Sequence, residues 1–163
     1  MAGRRRTEIA LDDCGTEFGT QADGTPTNLG IISLPPMPPT RFADITDGTS
    51  TTLMFVEVAG RPSFYGNRGL IRSSPPNPQG GGAWADPFSY ALNNGALPDG
   101  SGQVPGPCVA NCSNDGEIYS FHNGGFNGLW GDGSVRFVLQ TLTPSQLSAL
   151  VSKAGGEVIN FDY

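Results

Sequence analysis

The rhythm of apolar and polar positions changes along this chain, and each change predicts an element. From Thr51 to Val58, "TTLMFVEV", β-branched and apolar residues run almost unbroken, the pattern of a strand buried on both faces and central in its sheet. Farther on the pattern alternates. "EIYSFH" predicts a strand, "NGG" a turn and "FNGLW" a second strand, and Asp132-Gly133 then reverses the chain into "SVRFVL". Asp-Gly between two such runs signals a hairpin, because a type I′ turn puts both central residues at positive φ. In "SVRFVL", Val135 and Phe137 fall on one face and Ser134 and Arg136 on the other, as a sheet covered on one side requires.

A helical period follows. Thr143 caps it, Pro144 takes the first position, Gln146 completes a capping box, and Leu147, Leu150 and Val151 form one apolar stripe. Gly155-Gly156 is expected to end the helix, and "EVINFDY" to return as an edge strand. The predicted class is α+β: a mainly antiparallel sheet packed against one short C-terminal helix, with long loops.

Composition sharpens this picture. The 163 residues include 24 Gly and 14 Pro, which excludes long helices and suits a single domain with much irregular chain. Residues 1–40 read as an extended arm ending in "LPPMPPT", whose four prolines remove four backbone donors, and residues 41–163 read as the globular domain. Between residues 60 and 116 loops dominate, with Tyr65, Trp84, Phe88 and Tyr90 docking them onto the core. Exposed, Trp84 or Tyr90 would instead contact a sugar ring, which gives a secreted carbohydrate-binding module as the alternative function. Nine basic and fifteen acidic residues give a net charge of −6 without a basic stripe, so nucleic acid is excluded as an expected partner. "MAGRRR" is followed by polar residues, and no apolar run reaches leader or membrane-span length, so neither an export signal nor an anchor is expected.

Candidate chemistry centres on His122, the single histidine. A general base needs a partner within hydrogen-bond reach, yet no nucleophile motif such as Gly-x-Ser-x-Gly accompanies it, and Asp132 already has a turn role. A non-catalytic protein is expected, in which the imidazole bonds a nearby carbonyl or carboxylate and fixes the loop before the hairpin. Cys108 and Cys112 are read as a local disulfide, leaving Cys14 over; three reduced cysteines, or a zinc site of Cys14, Cys108, Cys112 and His122, are the alternatives. The acidic turns "DITDGT" and "SNDGE" offer oxygen ligands for calcium without the spacing of a known calcium loop, so ordinary turns are expected and no cofactor is assigned. The Asn111-Cys112-Ser113 sequon permits a glycan.

Three blocks, "FADITDGTSTTLMFVE", "CVANCSNDGEIYSFHNGGFNGLWGDGSVRFV" and "LVSKAGGEVINFDY", resemble successive blocks of the bacterial prepilin-type processing-associated family, whose signature is a His, nine residues, then Asp-Gly. His122, Asp132 and Gly133 match that signature, and the resemblance covers roughly residues 40–163. Members resemble type IV pilins and type II secretion pseudopilins, typically with a cleavable leader and a long hydrophobic helix that this chain lacks or replaces. The resemblance implies a pilin-like globular head without catalytic activity, located outside the cell or on its surface. Its expected partners are copies of itself, in an oligomer or filament built through residues 1–40, and secretion or surface proteins.

Overall fold

The computed structural model describes residues 30–32, 38–72, 95–100 and 106–158. The strands are β1 (Leu53–Val56), β2 (Phe64–Gly66), β3 (Gly69–Arg72), β4 (Gly125–Trp130) and β5 (Val135–Leu139), and the helix is α1 (Pro144–Val151). One sheet has the order β1-β4-β5 and the other pairs β2 with β3, with every pairing antiparallel. With one short helix near the C-terminus, the fold is α+β.

β4 occupies the centre because its inward side suits close neighbours. Phe126 and Trp130 are fully buried, and between them Gly128 leaves room for β1 to approach: a Cβ there would meet Leu53 Cδ1 at 2.5 Å. β1 therefore lies at an edge of this sheet among the described residues, not at its centre as its unbroken apolar run predicts. An irregularity in register between Leu53 and Phe55 sends Leu53 and Val56 into the core and leaves Phe55 54% exposed. "EIYSFH" also departs from expectation. Among the described residues it makes isolated parallel bridges, Ala110 with Ile118 and Val58 with Tyr119, and buries polar Glu117 and Ser120 beside apolar neighbours.

The β4–β5 hairpin forms, but with a three-residue connection. Trp130 N–H donates to Ser134 O at 2.9 Å and Gly133 N–H to Trp130 O at 2.9 Å, and in this turn Gly133, at φ 85°, takes the left-handed conformation. Asp132 does not share it. This is a tight turn closed by a glycine bulge, not the two-residue type I′ turn that Asp-Gly suggests. The backbone of the next turn inward explains the extra residue: Gly131 N–H bonds Thr52 O at 2.9 Å and Asp132 N–H bonds Thr49 O at 3.0 Å, tying the connection to the segment before β1.

Along β5 the alternation holds with a reversed outcome. Val138 is buried and Arg136 stacks over the Trp130 ring, 4.9 Å from its centroid, whereas Val135, Phe137 and Leu139 face outward. The core instead joins Leu53, Phe126, Trp130 and Val138 to Val109, Ile118, Leu142, Leu147 and Leu150.

α1 follows its local signals. Thr143 Oγ1 accepts from Gln146 N–H at 3.2 Å, Gln146 Oε1 accepts from Thr143 N–H at 2.9 Å, and Leu147 and Leu150 are buried. Its end comes at Ser152, before the Gly155-Gly156 pair expected to stop it. Asp47 draws the chain off the helical path there, accepting from Gly155 N–H at 2.7 Å and Gly156 N–H at 2.9 Å. Residues 155–158 form no strand, and the rest of "EVINFDY" lies outside the described residues. So does most of the arm, although Ile31 reaches the β4–β5 turn, where a Cβ on Gly131 would meet its Cδ1 at 2.8 Å.

Candidate functional site

His122 sits in the loop that leads into β4, and β4 carries the chain away from it to Asp132 at the strand's other end. The nine-residue spacing between them is thus one strand with its two flanking turns, and each residue has its own partners. Asp132 Oδ1 accepts from Ser134 N–H at 2.8 Å and Ser134 Oγ–H at 2.6 Å, while Arg136 Nη2 lies 3.3 Å from Oδ2. The side-chain and backbone hydrogen bonds from Ser134, with help from Arg136, hold the Asp132 carboxyl below the usual carboxylate range. Asp132 and Gly133 lie in the turn between β4 and β5.

The imidazole meets a carboxylate supplied from just beyond β1. Glu57 Oε2 accepts from the Asn127 backbone N–H at 2.8 Å, and Glu57 Oε1 accepts from Asn127 Nδ2 at 3.2 Å. Asn127 Nδ2 also lies 3.0 Å from His122 Nε2, which stands 3.5 Å from Glu57 Oε1. The amide nitrogen donates, so in the tautomer that leaves Nε2 without a proton this ring nitrogen accepts from Asn127. The Phe137 ring meets the imidazole edge to face, with centroids 6.3 Å apart. The result is a three-residue cluster on the outward side of the sheet, joining β1, β4 and the loop between them.

Beside it lies a cavity of about 460 Å³ lined by Glu57, Val58, Ala59, Ser120, Phe121 and His122. A carboxylate next to an imidazole has the makings of a proton-transfer pair, but the hydroxyl in that lining is committed elsewhere. Ser120 is only 5% exposed, its Oγ–H donates to Gly125 O at 2.6 Å, and its Oγ accepts from His122 N–H at 3.2 Å. The arrangement holds the His122 loop in shape and leaves the outer edges of Glu57 and His122 open to solvent.

Phe121 of that lining packs with two tyrosines, and the rings of Tyr65, Tyr119 and Phe121 are mutually 5.1–6.1 Å apart. Tyr119 donates its hydroxyl to Gly66 O at 3.1 Å, and burial raises its pKa. Tyr65 anchors β2 as expected of a loop aromatic. Trp84, Phe88 and Tyr90 lie outside the described residues, and so does Cys14.

Cys108 and Cys112 are joined by a disulfide, with Cα atoms 6.1 Å apart. Bonded to each other, they offer no thiolates, so the four-ligand zinc set of Cys14, Cys108, Cys112 and His122 is not assembled. Asn111, inside the disulfide loop at φ 62°, spends its amide on the fold: Nδ2 donates to Gly125 O and Gln140 Oε1, both at 3.0 Å, and Oδ1 accepts from Ser120 N–H at 2.8 Å. The amide nitrogen that a glycan would occupy is therefore used internally. In "DITDGT", Asp44 bonds Arg41 N–H at 2.7 Å and Asp47 bonds the glycine pair after α1, so these carboxylates cap turns.

The acidic stretch "SNDGE" holds two residues whose roles the sequence did not reveal. Asn114, 1% exposed, accepts from Tyr65 N–H at 2.9 Å through Oδ1, and its Nδ2 donates to Ala59 O at 3.0 Å and Ser63 O at 2.9 Å. Glu117 is also 1% exposed, yet neither carboxyl oxygen has a hydrogen-bond partner. Its burial pushes the pKa up to about 8; Asp115 adds to the rise, while the Gly95 amide, short of hydrogen-bond geometry, and Arg61 oppose it. Glu57 and Asn127 were missed as well. The signals in hindsight are a lone acid inside an apolar run and an asparagine on the same outward face of the sheet.

No helix among the described residues is long and apolar enough to cross a membrane. No curated protein matches the chain, and no solved structure matches it. One family profile matches residues 2–145, taking in most of the first 40 residues that the resemblance of the three blocks left out and stopping at the start of α1. With that span matched out of 163 residues, the chain belongs to the family described as protein of unknown function (DUF1559).

Proposed function

We propose that this protein is a non-catalytic, pilin-like structural subunit of an extracellular or cell-surface assembly, and that it works by binding further copies of itself. The observation that carries this reading is the outer side of the β1-β4-β5 sheet. Phe55, Val135, Phe137 and Leu139 are 54%, 64%, 42% and 47% exposed there, and β5 lies at the sheet edge among the described residues. Because Trp130 N–H bonds Ser134 O and Gln140 N–H bonds Gly124 O, the even-numbered residues of β5 turn their backbone groups toward β4. Those of Val135, Phe137 and Leu139 consequently point to the open edge, where an added strand would satisfy them.

Charge favours a like partner at this place. The chain carries a net −6, yet the outward residues of β5 are uncharged, and Arg136 turns inward to Asp132. Two copies meeting along β5 would bring apolar rows together without opposing charges. The disulfide supports an oxidising compartment. Residues 1–40 are the candidate donor of the added strand in a filament, and secretion or surface proteins are the candidate heterologous partners.

Light scattering and electron microscopy of the full chain test the reading. An oligomer or filament is expected, with Val135→Lys and Phe137→Lys, and separately removal of residues 1–29, reducing it to monomers. A parent protein that stays monomeric at high concentration overturns the proposal, as does an oligomer indifferent to all three changes.

A further inference from the structure

We propose that Glu57, Asn127 and His122 form a binding site for a divalent cation of the zinc type. The three side-chain atoms that face one another define a triangle with edges of 3.0 Å (Asn127 to His122), 3.2 Å (Asn127 to Glu57) and 3.5 Å (His122 to Glu57). Ligands held about 2.1 Å from a metal ion are separated by about 3.4 Å in a tetrahedral site and about 3.0 Å in an octahedral one. The triangle therefore has the dimensions of one face of a coordination sphere. Its circumscribed radius is about 1.9 Å, so an ion at that bond length sits about 1 Å out of the plane of the three atoms, with its remaining positions left for water.

Ligand chemistry agrees with the size. A neutral imidazole, a carboxylate oxygen and an amide oxygen are nitrogen and oxygen donors of the kind zinc and its divalent neighbours accept. His122 turns Nε2 toward the other two side chains, and in the tautomer protonated on Nδ1 that atom is a lone pair open to a metal. Only Asn127 must change. Rotating its amide by about 180° exchanges the Nδ2 donor for Oδ1 at the same place, a motion that moves no backbone. The Asn127 backbone N–H stays on Glu57 Oε2, and the Phe137 ring stays against the imidazole; both keep their ligands aimed.

Without metal, the amide bridges the other two side chains by hydrogen bonds and keeps the site closed. With metal, those bonds are exchanged for coordination. Access is available, because His122 and Glu57 expose 54% and 34% of their side chains beside the cavity of about 460 Å³. Every ligand is a described residue, and only His122 is shared with the zinc set considered from the cysteines.

The single histidine makes the test direct. Zinc chloride is titrated into the full-length protein while the imidazole carbon-bound proton resonances are followed by NMR, with calcium and magnesium chloride as controls. Zinc is expected to move the His122 resonances to saturation at a single equivalent, and calcium and magnesium to leave them in place. By calorimetry, His122→Gln and Glu57→Gln should each weaken zinc binding by about 10–100-fold. Asn127→Asp should tighten it, since a carboxylate oxygen replaces the amide without a donor to rotate away. The proposal is overturned if saturating zinc leaves the imidazole resonances unmoved, or if zinc binds all variants equally, an adventitious ion only. Should a variant fail to fold, the resonances of the parent protein decide alone.

Discussion

Replacing Glu117 by Gln should make this protein more stable in mild alkali while removing most of the pH dependence there. In the folded state the carboxyl is buried without a hydrogen-bond partner, and its pKa rises from 4.5 to about 8. The unfolded chain releases that proton near 4.5, and the folded chain holds it until about 8. Between these values the unfolded state binds fewer protons, so stability falls as pH rises and levels off above about 8. The full interval corresponds to a ceiling of about 5 kcal/mol, and relaxation around the ion brings the expected loss to about 2–3 kcal/mol. At about 2–4 °C per kcal/mol for a chain of this size, the melting temperature should drop about 5–10 °C between pH 5 and pH 8.5. Among the described residues the other shifted groups lie outside that window: Asp132 is displaced below the ordinary carboxylate range and Tyr119 above the ordinary phenol. The difference between parent and Glu117→Gln melting curves, recorded by circular dichroism from pH 5 to 9, isolates the carboxyl. A parent curve that is flat over this range, or a variant less stable than the parent at pH 8.5, would refute the reasoning.

Asn114→Ala should cost about 3–5 kcal/mol in a urea titration, because it strands Tyr65 N–H, Ala59 O and Ser63 O around a fully buried site. A loss below about 1 kcal/mol would mean that water replaces the amide. Gly133→Ala should cost about 1–2 kcal/mol and preserve the hairpin, since its φ of 85° strains an L residue while nothing lies within 4 Å of the added methyl. Unchanged thermal stability would show that the turn rearranges to remove the strain.

What the sequence reveals here follows the range over which each feature is decided. α1 was legible because Thr143, Pro144 and Gln146 settle its start within one turn of chain, and the apolar stripe needs only its own periodicity. The hairpin was legible as a reversal, but its length was not, since the bonds from Gly131 and Asp132 to Thr52 and Thr49 choose between two and three connecting residues. Asp132 could be read as a turn residue because its partner Ser134 is two positions away. His122 could be read as a loop-fixing residue, but the carboxylate beside it comes from Glu57, 70 positions before Asn127. The covered side of β5 was illegible for a similar reason. Val135 and Phe137 look like core in their alternation, and only the placement of Trp130 beneath Arg136 shows that the core lies on the other face.

The ring closed between Cys108 and Cys112 has a reach longer than its own five residues. Asn111 is held inside that ring in a left-handed backbone state, and from there its amide clasps Gly125, where β4 begins, and Gln140, just past the end of β5. A reductant that opened the ring would free Asn111 to relax, loosening the sheet at the His122 end while the Asp132 corner kept its own fastenings. A five-residue ring thereby braces one end of a single strand.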